Sequence, residues 1–113
     1  PLTPATQNLF NRDTFSQMKP SSILINVGRG PIIDEAALYE ALTEHQIMAA
    51  GLDVLSVEPM SKENPLVNFK DSSRLIITPH IAWATVEART RLMQEVFLNL
   101  QAYLKGTPRN LVL

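Results

Sequence analysis

The sequence predicts an α/β fold with a mainly parallel sheet. Three short apolar runs, at residues 23–27, 49–55 and 75–78, are bounded by turn residues and have the lengths of strands. A helical pattern of apolar residues lies between the first two runs, and a longer one follows the third. The order strand, helix, strand, strand, helix is typical of an α/β layer.

The first part of the chain leads into the first strand. Residues 1–8 are turn-like, and residues 9–18 form short helical pieces with Asp13 or Thr14 as a cap. The run at 23–27 is almost wholly apolar and β-branched, which predicts a strand buried on both faces. Three strands make a poor free-standing core, so we expect sequence outside this chain to complete the fold.

Two helices are expected after the first strand. Asp34 is the cap of the first, and Glu35 lies in its first turn, where the helix dipole favours an anion. Thr85 begins the second, which ends near Lys105 and Gly106 and spans about 30 Å at ~1.5 Å per residue. The expected apolar face of the first helix is Ala37, Leu38, Ala41 and Leu42, and that of the second is Ala88, Leu92, Val96, Leu100 and Tyr103.

The composition excludes several classes of function. Ten basic and eleven acidic residues give a net charge of −1, without the basic stripe that a nucleic-acid partner needs. No apolar run approaches the ~18 residues of a membrane span. Without cysteine, and with His45 and His80 far apart, no metal site is expected. A cytoplasmic location is the default expectation, and a start at Pro1 indicates a piece of a longer protein.

The stretch Gly28-Arg29-Gly30 imitates a dinucleotide-binding loop, since it follows a strand and precedes a helix. Ile33 stands where the third glycine would be, and Pro31 lacks the N–H that a phosphate cradle uses. The two glycines fit better as turn residues that hold Arg29 at the end of a strand.

Arg29, Glu58 and His80 each follow a predicted strand, and in a parallel sheet such loops share one edge. A carboxylate beside an imidazole orients the ring for proton transfer, and a nearby guanidinium binds an anionic substrate. Together the three suit reduction of a 2-oxo acid. Taken singly they have plainer interpretations: a surface arginine closing a turn, a solvated acid and a packed histidine. Spacing alone does not establish that they meet.

Over nearly its whole length the sequence resembles the D-isomer-specific 2-hydroxyacid dehydrogenases. The family's motifs occur in the family's order and spacing, which is more specific than any single motif. The stretches concerned are Met18-Lys19-Pro20 with Leu24-Ile25-Asn26-Val27-Gly28-Arg29-Gly30, Ala50-Gly51-Leu52-Asp53-Val54 with Glu58-Pro59, and Thr78-Pro79-His80-Ile81.

The resemblance implies a set of site residues. Arg29 matches the substrate-anchoring arginine, and Glu58 and His80 match the catalytic acid–histidine pair. Asp53 matches the aspartate that contacts the nicotinamide end of NAD or NADP. The positions implied to line the cofactor pocket are Asp53, Gly28, Arg29, Thr3, His80 and Ala82. A small 2-hydroxy or 2-oxo acid is the implied substrate, and a homodimer the implied assembly.

The resemblance also implies two domains. Residues 1–84 are expected to be the second half of a Rossmann-like NAD(P)-binding domain. Residues 85–113 are expected to be a long crossover helix and a tail that returns to the substrate domain. The glycine-rich phosphate loop, and with it the choice between NAD and NADP, is expected upstream of Pro1.

The stretch Ala82-Trp83-Ala84-Thr85 bears on the substrate. It is similar to the glycerate dehydrogenase (hydroxypyruvate reductase) branch of the family, although Trp83 could simply pack at an interface. Two alternatives to an enzyme stay open: an NAD-sensing, corepressor-like binding protein of the same family, and an isolated chain that is inactive by itself.

Overall fold

The computed structural model of the chain describes residues 1–112 and contains two compact units. The first, Pro1–Ile81, contains all three strands, and the second starts at Ala82 and contains the long helix. The assignment of residues 1–84 and 85–113 to two functional domains stays a prediction.

A parallel three-stranded sheet forms the centre of the first unit, as predicted. The strands lie in the order β1-β2-β3. Asn26, Leu52 and Ile77 are aligned across the sheet, so all three strands end at the same level. The loops that follow them therefore leave from one edge. The strands are β1 at Ile23–Asn26, β2 at Ala49–Leu52 and β3 at Leu75–Ile77, each slightly shorter than its apolar run.

The described residues contain three α-helices: α1 at Arg12–Ser16 and α2 at Glu35–Thr43 in the first unit, and α3 at Val86–Leu104 in the second. The prediction that Asp13 or Thr14 caps the first was wrong. The cap is Asn11, whose side-chain oxygen accepts the backbone N–H groups of Asp13 and Thr14. The Thr14 hydroxyl in turn accepts the Asn11 N–H, which completes a capping box.

The core lies on one face of the sheet, against α2. The predicted apolar face of α2 is buried throughout, and Asp34 caps the helix as expected. From the sheet, Leu24, Ala50 and Leu52 join the same cluster. Each fully buried Leu or Phe contributes about 1.5–3 kcal/mol. The largest fully buried side chains are Phe15, Leu38, Leu42 and Ile47.

The other face of the sheet is exposed within this chain. Ile23, Ile25 and Val27 are 59%, 71% and 60% exposed, and Ile76 on β3 is 63% exposed. Burial of residues 23–27 on both faces was predicted for a fold completed by sequence outside this chain, and it stays a prediction; within the chain one face is open. Successive side chains of a strand point to opposite faces, and the cluster with α2 covers only one of them.

The second unit contains a single long helix whose ends were predicted well. The Thr85 hydroxyl accepts the Ala88 N–H at the start, and Lys105 and a left-handed Gly106 follow the end. The expected inward face was wrong for this chain, because no residue of α3 is buried and Leu92 and Leu100 are more than half exposed. Among the described helices, none is both long and apolar enough to cross a membrane.

Candidate active site

Glu58 and His80 meet at the edge where the strands end. His80 Nδ1 lies 2.9 Å from Glu58 Oε2, and the backbone N–H of Leu55 donates to Glu58 Oε1 at 2.8 Å. The Leu55 N–H, and after it the contact with His80, lowers the pKa of the Glu58 carboxyl below its usual value. Both side chains keep more than a third of their surface exposed, at 37% for Glu58 and 45% for His80. The carboxylate is thus held on both oxygens while the pair stays open to a ligand.

A buried carboxylate shapes the turn that presents His80. Asp53 is only 5% exposed, and its Oδ1 accepts the Thr78 hydroxyl and, at 2.9 Å, the Ile81 N–H. These two contacts bracket His80, whose own N–H donates to the Thr78 carbonyl. His80 has a left-handed backbone with φ of +56°, a conformation that costs a residue with a side chain on the order of 1–3 kcal/mol. The bracketing bonds hold the turn in this conformation.

A cavity of about 460 Å³ opens beside the pair. Three ionisable groups, Asp53, Glu58 and His80, stand among mainly apolar walls. Within residues 1–112, no group of three or more acidic or histidine side chains is arranged to hold a metal ion. The cavity is lined by Asp53, Leu55, Glu58, Pro59, Met60, Ile77, Thr78, Pro79 and His80.

Arg29 lies in the loop after β1 and does not line this cavity. Asn26, the last residue of β1, organises the loop: its Oδ1 accepts the Gly28 N–H at 3.0 Å and its Nδ2 donates to the Arg29 carbonyl at 2.9 Å. The Arg29 guanidinium donates to the Gly28 carbonyl at 2.8 Å and is otherwise turned to solvent.

The loops after β1 and β2 touch at Gly30. A Cβ atom at this position would lie 1.9 Å from the Leu55 carbonyl carbon and 2.4 Å from the Ser56 nitrogen. Both distances are far shorter than a van der Waals contact, so no residue with a Cβ fits here without a backbone shift. Glycine is required here by a backbone-to-backbone contact with the loop after β2, which the turn interpretation of the sequence did not predict. The contact connects the loop of Arg29 to Leu55, whose N–H binds Glu58.

Sequence reasoning missed the residues that support this edge. Asn26 and Thr78 have the roles described above, and Glu35 accepts both the Ser56 N–H at 2.7 Å and the Asn64 amide at 2.8 Å. An asparagine two residues before a glycine is a turn signal that could have identified Asn26. Nothing in the sequence distinguishes Glu35 from any acid in a first helical turn.

Thr3 and Ala82 are two further residues that the family resemblance implies for the cofactor pocket. The Thr3 N–H donates to the Thr6 hydroxyl in an exposed N-terminal turn, and Thr6 also donates to the Pro1 carbonyl. Ala82 is the first residue of the second unit and is exposed. The role of both in a cofactor pocket stays a prediction.

Comparison with known proteins decides the family. The family model described as "D-isomer specific 2-hydroxyacid dehydrogenase, NAD binding domain" matches residues 1–82. The chain belongs to this family. The sequence resemblance is thereby confirmed, and with it the Rossmann-like fold and the class of cofactor, NAD or NADP.

Curated relatives of this dehydrogenase domain match almost the whole chain. A hydroxypyruvate reductase of Blautia hydrogenotrophica is 46% identical over 99% of the chain and 34% of its own length. A glycerate dehydrogenase of Methylorubrum extorquens is 44% identical over 99% of the chain and 35% of its own length. The chain thus spans about a third of the length of the relatives that it matches.

Among solved structures, an acyclic imino acid reductase in complex with NADPH and D-Arg superposes on this dehydrogenase domain with a TM-score of 0.83. It is 37% identical, and the match covers 100% of the chain and 35% of the other protein. Both the fold and the cofactor class therefore agree with the family assignment.

The residues present fit one end of a nicotinamide dinucleotide. The apolar walls of the cavity suit the flat nicotinamide ring, and the buried carboxylate of Asp53 suits the amide N–H donors of that ring. The other end needs a phosphate cradle, and the four glycines of the chain, at 28, 30, 51 and 106, form no Gly-x-Gly-x-x-Gly loop. This chain is suited to hold the nicotinamide end.

Proposed function

We propose that the full-length dehydrogenase reduces a small 2-oxo acid to a D-2-hydroxy acid with NADH or NADPH, and catalyses the reverse oxidation. The observation that carries the proposal is the 2.9 Å contact of Glu58 with His80 Nδ1, beside a cavity at the carboxyl ends of the strands. Ligands of open parallel sheets bind at that edge. The curated names of the two relatives above support the same class of reaction.

His80 has the role of proton donor in this proposal. Because Nδ1 is engaged by Glu58, the proton that reaches the substrate comes from Nε2. The C=O double bond of the 2-oxo acid opens, carbon gains a hydride and oxygen gains the His80 proton, which leaves a neutral imidazole. Glu58 holds the ring orientation before transfer. In oxidation, the same nitrogen takes the proton back.

Arg29 is the proposed anchor for the substrate carboxylate. Its guanidinium is exposed, and its fork of N–H donors matches a carboxylate bidentately. The Gly30–Leu55 contact connects its loop to that of Glu58, so the anchor and the proton donor share one support. The fork then fixes the 2-oxo group relative to His80.

The nicotinamide cofactor supplies the hydride when it is bound. Asp53 is the proposed acceptor for the amide of its ring, with the apolar cavity walls against the ring itself. Gly28, Thr3 and Ala82 are proposed as further cofactor contacts on the strength of the family resemblance.

Hydroxypyruvate is the proposed preferred substrate, with D-glycerate as its product. The names of the two curated relatives and the Ala82-Trp83-Ala84 stretch support this choice. The similar imino acid reductase makes a C=N acceptor the most informative comparison substrate, because Glu58 and His80 could protonate nitrogen as readily as oxygen.

The test is a substrate screen with purified full-length protein, following loss of the reduced cofactor's absorbance. Hydroxypyruvate, glyoxylate, pyruvate and an imino acid are compared with NADH and NADPH. His80→Gln should lower kcat by about 10²–10⁴-fold, the usual contribution of a positioned acid–base group, while cofactor binding persists. The matched control is His45→Gln, an exposed histidine with the same backbone φ of +56°, which should leave kcat unchanged.

Two results would overturn the proposal: no turnover with any 2-oxo acid, or near-normal turnover of His80→Gln.

We also propose a homodimer in the cytoplasm, which the family resemblance and the absence of cysteine support. Light scattering on the same preparation gives the mass that checks the dimer.

A further inference from the structure

Glu35 joins the two ends of the loop that contains Glu58. One carboxylate oxygen accepts the Ser56 N–H at 2.7 Å, and the other accepts the Asn64 side-chain amide at 2.8 Å. Ser56 lies two residues before Glu58, and Asn64 lies where the loop ends and a short 3₁₀ turn begins. A single side chain of α2 therefore closes the base of this loop.

The Glu35 side chain is not used by its own helix. The exposed N–H groups at the start of α2 are already satisfied by Asp34, whose Oδ1 accepts those of Ala36 and Ala37. A first-turn acid usually contributes through the helix dipole. Here the carboxylate crosses to another segment and binds two donors at charge-assisted distances.

Glu35 and Glu58 bind neighbouring amides. The Leu55 N–H donates to Glu58 and the Ser56 N–H donates to Glu35, so two carboxylates hold successive residues of the same backbone. Gly30 lies against the same backbone, at the Leu55 carbonyl and the Ser56 nitrogen. A shift of residues 55–56 would displace the donor that fixes Glu58 and, through Glu58, the ring of His80.

The Glu35 carboxylate and its two donors, the Ser56 N–H and the Asn64 amide, form a clamp on this loop. The Asn64 end of the clamp is anchored in the core. Asn64 is 7% exposed, and its Oδ1 accepts the N–H of Leu66, which is 2% exposed. The buried face of α2 fixes the end at Glu35. Glu35 does not line the cavity, so its effect on catalysis must act through the loop.

From this geometry we infer that Glu35, with Asn64, is a positioning residue for the Glu58–His80 pair. The inference rests on the proposed function for its effect on turnover, but its structural content does not. Two donors face two carboxylate oxygens, so the clamp needs a carboxylate at one end and an amide at the other.

The experiment reverses this pairing in the full-length protein. In Glu35→Gln, one acceptor becomes an NH₂ group that faces the NH₂ of Asn64, and Asn64 cannot turn over without losing its bond to Leu66. The double variant E35Q/N64D restores every bond with the same net charge, because the new amide at 35 donates to the new carboxylate at 64. Glu40→Gln is the matched control: a glutamate of the same helix that pairs with Arg12 at the surface.

We expect E35Q to lower kcat by roughly tenfold or more, towards the order of 100-fold that a 1 Å displacement of reacting groups costs. The KM for the cofactor should change less than kcat, because Glu35 itself does not line the cavity and Asp53 is held by other bonds. E35Q/N64D should recover most of kcat, and E40Q should match the wild type. Wild-type kcat in E35Q overturns the inference, as does a folded double variant that recovers nothing.

A second readout separates this inference from the proposed function. The NMR titration of the Glu58 carboxyl requires no turnover, and its pKa depends on the Leu55 N–H. E35Q should raise that pKa towards its usual value, and E35Q/N64D should lower it again. If the wild type reduces no 2-oxo acid, the proposed function fails, and this titration alone tests whether Glu35 positions Glu58. An unchanged Glu58 pKa in E35Q would then contradict the clamp.

Discussion

Two loops at the same sheet edge differ in how they hold their charged side chains. Glu58 is bound on both oxygens, and the turn of His80 is bracketed by two bonds to Asp53. Arg29, in contrast, is exposed, and within residues 1–112 its one side-chain hydrogen bond goes to the adjacent Gly28 carbonyl. The contrast separates a preorganised carboxylate–imidazole pair from a cation whose remaining donors face solvent.

Gly30 is the point at which this contrast can be broken, because both loops meet there. In Gly30→Ala the new Cβ would meet the Leu55 backbone at 1.9 Å, so one loop must move. We expect a loss of about 3 kcal/mol in the free energy of unfolding, the upper end of overpacking costs, and a loss of kcat/KM. Urea unfolding with steady-state kinetics measures both.

Gly28→Ala is the control for that variant. Its Cβ would stand 3.5 Å from Asn26 Oδ1, an ordinary contact, so stability should stay within about 0.5 kcal/mol of the wild type. Equal free energies of unfolding for the two alanine variants would show that the loops are not coupled at Gly30.

Arg29→Lys sharpens the contrast from the side of the exposed cation. Lysine keeps the charge but replaces the fork with a single point, so one of two hydrogen bonds to the substrate carboxylate is lost. A charge-assisted bond is worth about 1.5–3 kcal/mol, which corresponds to a roughly 10- to 150-fold rise in KM for the 2-oxo acid. Stopped-assay kinetics across substrate concentrations give KM. Arg12→Lys, at a surface ion pair, should leave it unchanged, and an unaltered KM in Arg29→Lys would remove this residue as the anchor.

The smallest expected effect concerns the pKa of the Glu58 carboxyl in the Glu58–His80 pair. The Leu55 N–H contributes more than His80 to lowering the Glu58 pKa, so His80→Gln should keep that pKa below the ordinary 4.5. A lowered pKa contributes stability that is fully present above 4.5 and is lost as pH falls through the folded value. The wild type should therefore have a larger free energy of unfolding than Glu58→Gln above pH 4.5, and this difference should shrink only below that pH. Urea unfolding at a series of acidic pH values measures the difference. A full return of the pKa in His80→Gln would make the imidazole the main cause.

Much of the fold could be predicted from the sequence because its signals are local. The strand runs, the Asp34 and Thr85 caps and the apolar face of α2 follow from periodicity and capping chemistry. The buried faces expected of residues 23–27 and of α3 could not be obtained in this way. An apolar side chain indicates that burial is favourable, but not that the same chain supplies the covering surface.

The site divides along similar lines. Arg29, Glu58 and His80 were predicted from their positions after strands, and the structure brings Glu58 and His80 into contact. The support from Glu35 and Asn64 could not be predicted, because those residues are 29 positions apart and meet only through the tertiary fold. Chemistry at strand ends is visible in a sequence, whereas the long-range bonds that position it are not.

The open face of the sheet has a consequence for handling the protein. Ile23, Ile25, Val27 and Ile76 together form an apolar surface, and within the described residues β1 pairs with β2 alone. An uncovered apolar face next to an unpaired strand edge is a template for aggregation. A preparation of these 113 residues alone is therefore expected to precipitate or form soluble oligomers, and a polar residue at Ile25 is the first choice for making it tractable.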